Sequence, residues 1–228
     1  VTDLKKTEHE YAAGMKTILE YSGIDCAAFE GAIICSVVPP LTEIFHLAVE
    51  KIIGCDALVV GAGIKTGLNI MIENPATLGS DIVAASVAAM TEFPLPVIVI
   101  DMGTATTITV VDKSGAFIGG CICPGVKISL DALTERTALL PGLQLDQPKQ
   151  AIGRNTIDCM RSGIMMGNAA MIDGMVERME AELGYKTTVI ATGGIARFVT
   201  PMCKTPIIYD KDLLIKGLAM LYRENNRN

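Results

Sequence analysis

Val97-Ile-Val-Ile-Asp-Met-Gly-Thr-Ala-Thr-Thr107 is the stretch of sequence from which the fold is deduced. Its first four residues are all apolar and predict a buried strand, and Ile108-Thr-Val-Val-Asp112 predicts a second strand after a turn. Asp101 at the bend could hold a cation or activate water, and Gly103 lets a ligand approach the backbone. The hydroxyls of Thr104, Thr106 and Thr107, with nearby backbone N–H groups, could bind phosphate oxygens. An ordinary strand-terminal turn has the same composition, so these residues alone leave both interpretations open.

The composition of the whole chain narrows the function classes. The 228 residues suffice for one large or two small domains with a substantial core. Half of the residues are hydrophobic, yet no apolar run reaches the roughly 20 residues of a membrane span, so we expect no membrane partner. The net charge is −6 without a Lys/Arg cluster, and Trp is absent, which argues against a nucleic-acid partner.

Seven cysteines, an odd number, lie mostly in apolar surroundings. We expect reduced thiols and therefore a cytoplasmic protein, not a disulfide framework. Cys121 and Cys123 share one face of a predicted strand, but no second pair and no nearby histidine completes a zinc site. The two residues are interpreted as small buried apolar side chains.

Hydrophobic periodicity and Gly/Pro breaks predict alternating strands and helices in both halves of the chain. Pro94 and Pro96 mark the best internal boundary, which gives a first domain over 1–96 and a second over 97–228. We expect an α/β fold of two domains that face a cleft. Helices are predicted over 4–21, 41–53, 81–90, 126–140, 156–183 and 211–222, and strands over 31–38, 57–60, 97–100, 108–112, 116–122, 188–191 and 206–209.

Two further segments carry chemistry. Asp81 begins a predicted helix, where it could accept the proton of a substrate hydroxyl during phosphoryl transfer or simply cap the helix. Thr192-Gly-Gly194 follows an apolar strand and is typical of a turn that brings bare backbone against a nucleotide. Each signal is weak alone, and the combination of Thr192–Gly194 with the Asp101–Thr107 turn is considerably stronger evidence for a nucleotide site.

At this point the sequence resembles the acetate kinase–sugar kinase–Hsp70–actin group and, more narrowly, the type III pantothenate kinase family. The resemblance covers essentially the whole chain and implies two ribonuclease-H-like domains around an interdomain cleft. Ten short motifs in the family's order and spacing carry it: Cys35-Ser-Val-Val-Pro39, Lys65-Thr-Gly-Leu-Asn69, Asn74-Pro75, Leu78-Gly-Ser-Asp81, Asp101-Met-Gly-Thr-Ala-Thr-Thr107, Gly119-Gly-Cys-Ile-Cys-Pro-Gly125, Arg136-Thr-Ala-Leu-Leu-Pro141, Ile152-Gly-Arg-Asn-Thr156, Met160-Arg-Ser-Gly163 and Ala191-Thr-Gly-Gly-Ile-Ala196.

The resemblance also implies an activity and a set of site residues. The reaction is the ATP-dependent phosphorylation of pantothenate to 4'-phosphopantothenate, which opens coenzyme A synthesis, in a homodimer joined through the helix 156–183. Asp81 is implied as the general base and Asp101 as the ligand of a monovalent cation, K⁺ or NH₄⁺, while Mg²⁺ enters with ATP. The implied pantothenate contacts are Gly79, Ser80, Asp81, Ile82 and Thr156, and the implied ATP contacts are Thr104, Thr192, Gly193 and Gly194.

Two departures from the family pattern keep alternatives open. Ile82 stands where the family usually has an arginine that can pair with the pantothenate carboxylate. The family's opening strand and Asp-x-Gly-Asn-Thr phosphate loop are not found, and residues 2–11 resemble what normally follows them. We therefore expect an incomplete first domain, because the opening segment either precedes Val1 in a longer chain or is missing. The alternatives are a non-catalytic homologue that binds a ligand or partner, and a kinase for another small alcohol.

Overall fold

The computed structural model describes residues 3–137 and 139–226. These residues fold as two compact units. Unit 1 comprises residues 1–67, 76–87 and 215–228, and unit 2 comprises residues 68–75 and 88–214. The predicted division after residue 96 differs from this one, because the chain leaves unit 1 earlier and its closing segment returns to it.

Unit 1 is built on a short parallel sheet. Strands β1 (Ala32–Ile34) and β2 (Ala57–Val59) pair in register, Ile33 opposite Leu58. Helix α1 (Glu8–Tyr21) packs on helix α2 (Pro39–Ile53), where the rings of Tyr11 and Phe45 lie 4.5 Å apart between centroids. These contacts order the helices that flank the sheet.

Local signals explain where these two helices begin and end. Thr7 and Glu10 form a reciprocal capping box at the start of α1, so the helix begins after residue 7 and not at the predicted residue 4. Pro39 and Pro40 begin α2 instead of preceding it, since a proline in the first turn loses no helical hydrogen bond. Gly54 ends α2 in the left-handed conformation, with φ of 68°.

Two helices contribute residues to both units. Helix α3 (Ser80–Glu92) follows a short 3₁₀ turn, and helix α7 (Leu213–Asn225) closes the chain. Within unit 1, Gly217 of α7 lies so close to Ala84 of α3 that a Cβ at residue 217 would overlap the Ala84 carbonyl. This backbone contact is the physical reason why the closing segment joins unit 1, and no local sequence pattern announces it.

Unit 2 contains a six-stranded mixed sheet of order β3-β6-β5-β4-β7-β8. Its central strands β4 and β5 are antiparallel, whereas β7 is parallel to β4. The strands are β3 (Asn69–Ile70), β4 (Val97–Met102), β5 (Ala105–Val111), β6 (Ala116–Pro124), β7 (Thr188–Thr192) and β8 (Ile208–Tyr209). The α/β fold class is confirmed.

The core of unit 2 lies between one face of this sheet and a long helix. Helix α5 (Thr156–Leu183) matches the predicted 156–183, because Asn155 caps its start and Gly184 ends it with φ of 76°. Its buried residues pack with helices α4 (Val126–Arg136) and α6 (Ala196–Val199) and with the sheet face of Ile98, Ile100, Ile108 and Val110. The opposite sheet face carries Asp101.

Candidate active site

Asp101 lies near the carboxyl end of β4, in the middle of unit 2's sheet. It is directly opposite Thr107 on antiparallel β5 and Thr192 on parallel β7. Residues opposite one another on paired strands share a face, so the three polar side chains project from the same side of the sheet. Thr192 is distant from Asp101 and Thr107 in sequence, and the sheet register brings it beside them.

The turn after β4 is tight. The Gly103 N–H donates to the Ala105 carbonyl at 3.0 Å, which leaves Gly103 and Thr104 at the tip, both exposed. Gly125, the residue that directly follows β6, lies against this tip. A Cβ at residue 125 would overlap the Thr104 carbonyl and sit 2.9 Å from the Gly103 carbonyl oxygen. The turn is therefore supported by backbone, and Thr104 at its tip is exposed.

Gly193 closes the other side of the turn. Its φ of 96° lies in the left-handed region, and a Cβ at this position would be 2.6 Å from the Met102 carbonyl oxygen and 3.0 Å from Asp101 Oδ1. Two oxygens thus border a space that any other residue would fill. Oxygen donors suit hard cations, so Asp101 fits its predicted part in holding a monovalent cation.

The predicted nucleotide residues differ in accessibility. Thr192 is only 3% exposed, whereas Gly194 is exposed and a Cβ there would meet no atom within 4 Å. The accessible part of this segment is consequently the backbone of Gly193 and Gly194. Thr156, predicted to contact pantothenate, is exposed in the first turn of α5, where the Asn155 side chain accepts from the Asp158 N–H at 2.9 Å.

Asp81, the predicted base, belongs to unit 1 and lies in the first turn of α3. Its Oδ1 accepts the N–H of the next residue, Ile82, at 2.8 Å, which is not the hydrogen bond of an N-terminal cap. A Cβ at Gly79 would be 2.5 Å from the same oxygen, which means that the glycine makes room for the carboxylate. Asp81 and Ile82 are both half-buried.

Sequence reasoning missed Cys35 as a neighbour of this segment. Ser80 Oγ donates to the Ser36 carbonyl at 3.3 Å, and Cys35 Sγ hydrogen-bonds to Ser80 Oγ at 3.3 Å. Burial raises the pKa of the Cys35 thiol, the Ser80 hydrogen bond opposes that shift, and the charge of Asp81 adds to it. The Cys35-Ser36 segment thus fixes the start of α3, and no local sequence pattern points to this contact.

The described residues contain neither a membrane-spanning helix nor a cluster of metal-ligating side chains. None of the helices in 3–137 and 139–226 is long and apolar enough to cross a membrane. Within the same ranges, no group of three or more His, Cys, Asp or Glu side chains could hold a metal ion. A cation at Asp101 would therefore depend on carbonyl oxygens, water or substrate for its remaining ligands.

Comparison with known proteins identifies relatives over nearly the whole chain. The family model described as type III pantothenate kinase matches residues 1–178. A type III pantothenate kinase of Halalkalibacterium halodurans is 39% identical over 224 residues, covering 98% of this chain and 88% of the relative. One of Bacillus cytotoxicus is 41% identical over 224 residues, covering 98% and 86%.

A solved structure shares the fold. It is described as a Baf-family transcriptional activator from Campylobacter jejuni, and it superposes with a TM-score of 0.61 at 21% identity. The match covers 92% of this chain and 88% of that one. At this level of identity the likeness concerns the fold alone.

Proposed function

Because this chain belongs to the type III pantothenate kinase family, we propose that it transfers the γ-phosphoryl group of ATP to the primary hydroxyl of pantothenate. The product is 4'-phosphopantothenate, the first intermediate on the way to coenzyme A. The observation that carries this proposal is the identity of about 40% to type III pantothenate kinases across 98% of the chain.

Asp81 is proposed as the general base. The attacking hydroxyl must lose its proton as the new P–O bond forms, and a carboxylate within hydrogen-bond reach can accept it. The backbone N–H of Ile82 and the start of α3 stabilise the carboxylate anion. Its second oxygen, Oδ2, is then the acceptor for the hydroxyl proton. Gly79, Ser80, Ile82 and Thr156 complete the proposed pantothenate contacts.

The ATP side is proposed at the end of unit 2's central strands. Backbone of Gly193 and Gly194 and exposed Thr104 line it, with Thr192 beneath. Asp101 would hold K⁺ or NH₄⁺ there, and Mg²⁺ would arrive with ATP and neutralise phosphate charge. The protein's own work at this end is to position the phosphates, because the transfer needs no phosphoenzyme.

The test of the proposal is a coupled ADP-release assay with pantothenate, Mg²⁺ and K⁺ on the full-length protein. We expect pantothenate-dependent ADP, and its absence would contradict the proposal. Asp81→Asn should lower turnover at least tenfold with an unchanged melting temperature. Asp212→Asn, which neutralises an exposed carboxylate elsewhere, is the matched control and should keep full turnover. Full activity of Asp81→Asn would rule out Asp81 as the base.

Ile82 motivates a second candidate function. Its half-buried apolar side chain follows Asp81 directly and cannot pair with a carboxylate. A substrate alcohol without a carboxylate, or a non-catalytic protein that only binds ligand, would be compatible with it. Turnover on a panel of hydroxyl acceptors distinguishes the first case, and calorimetric binding without turnover would indicate the second.

We further propose a homodimer joined through α5. The exposed surface of this helix carries small residues at helical spacing, namely Gly163, Gly167 and Ala170, and half-buried Gly174 continues the series. A Cβ at residue 163 or 167 would meet nothing within 4 Å among the described residues, so these two glycines make no close packing contact within the monomer. An interior glycine weakens a helix by about 0.5–1 kcal/mol, and a close helix–helix contact would offset that cost.

The dimer proposal has its own test. Light scattering on the wild-type protein should give twice the chain mass of 24.2 kDa. Gly167→Leu should shift the protein to monomers, whereas Gly14→Leu, at an exposed glycine of α1, should not.

The two compact units are proposed to be two ribonuclease-H-like domains. Seven free cysteines favour a reducing compartment such as the cytoplasm.

A further inference from the structure

Cys121 and Cys123 form a thiol pair in unit 2 that the proposed reaction does not use. They alternate along β6 with Ile122, which is 76% exposed, while both cysteines are half-buried. Cys121 packs against the unit 2 core, and Cys123, two residues later on the same strand, projects from the same sheet face. Both thiols therefore lie on the inner side of the strand.

A polar group beside this pair has no partner. Thr106 lies directly opposite Cys123 on β5 and therefore on the same sheet face. The residue is 0% exposed, and its Oγ1 makes no hydrogen bond with the described residues. A buried hydroxyl without a partner is costly, so a ligand at the thiol pair that provides an acceptor for it would be favoured.

Strand geometry distinguishes a bridging ion from a disulfide. Two residues apart on a strand, the Cα atoms are about 6.7 Å apart and the side chains run side by side. A disulfide needs Cβ atoms within about 4.5 Å, which would require β6 to buckle. An ion with metal–sulfur bonds of about 2.3 Å spans roughly 4.6 Å between the sulfurs, which rotation about χ1 can supply without moving the backbone.

We propose that Cys121 and Cys123 bind one thiophilic cation of low coordination number, with monovalent copper as the best-fitting member of the class. Thiolates select soft cations, and a four-coordinate zinc site would need donors that do not cluster here among the described residues. Binding breaks two S–H bonds, forms two copper–sulfur bonds and releases two protons to solvent, with no change of oxidation state. The Thr106 hydroxyl then donates a hydrogen bond to the Cys123 sulfur, whose negative charge strengthens it.

The position of the pair links it to the candidate active site. It lies shortly before Gly125, on which the Gly103–Thr104 turn rests. An occupied site would thus act on the strand end that supports the turn.

The experiment is anaerobic titration of the reduced full-length protein with Cu(I) in competition with bicinchoninate, a chromophoric chelator. The wild type should retain one equivalent that Cys121→Ser and Cys123→Ser each lose. Cys159→Ser removes an exposed thiol elsewhere and should keep that equivalent. Thr106→Val should keep the stoichiometry but weaken binding about tenfold or more, as expected for loss of one hydrogen bond to a charged group.

Retention of the equivalent by the Cys121→Ser/Cys123→Ser double variant would overturn the proposal. Should the serine variants unfold, X-ray absorption of the copper-loaded wild type decides instead. Two sulfur ligands support the site, and nitrogen- or oxygen-dominated coordination refutes it. Neither readout uses kinase activity, so the outcome is independent of the proposed reaction.

Discussion

Gly193→Ala is the substitution for which the structure gives the sharpest expectation. The residue has φ of 96°, which costs an alanine roughly 1–2 kcal/mol. The new Cβ would also lie 2.6 Å from the Met102 carbonyl oxygen and 2.8 Å from its carbon. Both belong to the central strand of unit 2, so neither can move as a flexible side chain would. Overpacking of this kind costs about 1–3 kcal/mol.

The two contributions sum to about 2–5 kcal/mol of lost unfolding free energy. For a chain of this size each kcal/mol lowers the melting temperature by about 2–4 °C, so a fall of at least about 5 °C is expected. The Cβ would also stand 3.0 Å from Asp101 Oδ1 and displace that carboxylate. The K⁺ concentration needed for half-maximal activity should therefore rise together with the KM for ATP.

Gly194→Ala is the matched control, since it adds the same methyl group one residue later. Its backbone is not in the left-handed region, and its Cβ would meet no protein atom within 4 Å. Thermal unfolding followed by circular dichroism should show a change within about 2 °C for this variant. Equal melting temperatures for the two variants would refute the contact geometry at Gly193. An unchanged K⁺ dependence in Gly193→Ala would refute the cation site at Asp101.

Three further expectations follow from other contacts. Gly217→Ala should lower the free energy of unfolding by about 3 kcal/mol, because its Cβ overlaps a backbone carbonyl of α3. Gly14→Ala, in the exposed part of α1, should raise the free energy of unfolding by about 0.5–1 kcal/mol. Urea denaturation measures both changes. Burial favours a higher pKa for Asp173, but hydrogen bonds from two backbone N–H groups outweigh it and hold the pKa below its usual range. Its stabilisation is thus present above the unfolded pKa of about 3.9 and is lost as the pH falls through the lower folded value. Asp173→Ala should therefore be less stable than the wild type by about 2 kcal/mol at pH 7, and stability measured down to pH 3 should show that gap narrowing. Iodoacetamide at pH 8 should label exposed Cys159 well before Cys121, because the Cys121 pKa of about 11 leaves about one thiolate in a thousand. Peptide mass spectrometry measures the labelling of both cysteines. Equal labelling rates would contradict the burial of Cys121.

Long, well-capped elements were predictable from sequence because their signals are local. Helix α5 was placed correctly at both ends, since an asparagine cap precedes it and a left-handed glycine follows it. Strands β4 and β7 were equally clear as continuous apolar runs between turn residues. Strands whose bounds depend on pairing with a neighbouring strand were predicted less accurately. The expected strand 31–38 contains only β1 (Ala32–Ile34), and the two-residue β3 was missed because it is too short to show any period.

The candidate site was predictable in its residue types but not in its supports. Asp101 and Thr192–Gly194 were recognised because an acid or a glycine pair follows each apolar strand, and the sheet register places Asp101 opposite Thr192. Cys35 and Gly125 were not recognised as supports, because their roles depend on contacts with backbone distant in sequence. Such contacts leave no periodic trace, and only the fold reveals them.

The contacts that Gly125 and Gly193 make bear on whether Asp101–Thr107 is an ordinary turn. An ordinary hairpin turn is stabilised by its own hydrogen bond, and the one from Gly103 to Ala105 would suffice. Here two glycines that directly follow different strands also contact the same turn. Gly125 packs against the Thr104 carbonyl, and Gly193 packs against Met102. A side chain at either position would overlap backbone, so main-chain contacts from both glycines support the turn. An ordinary turn closed by its own hydrogen bond needs no such support. That arrangement favours a binding site over a plain strand ending, and it makes the two glycines as necessary to the site as the acid between them.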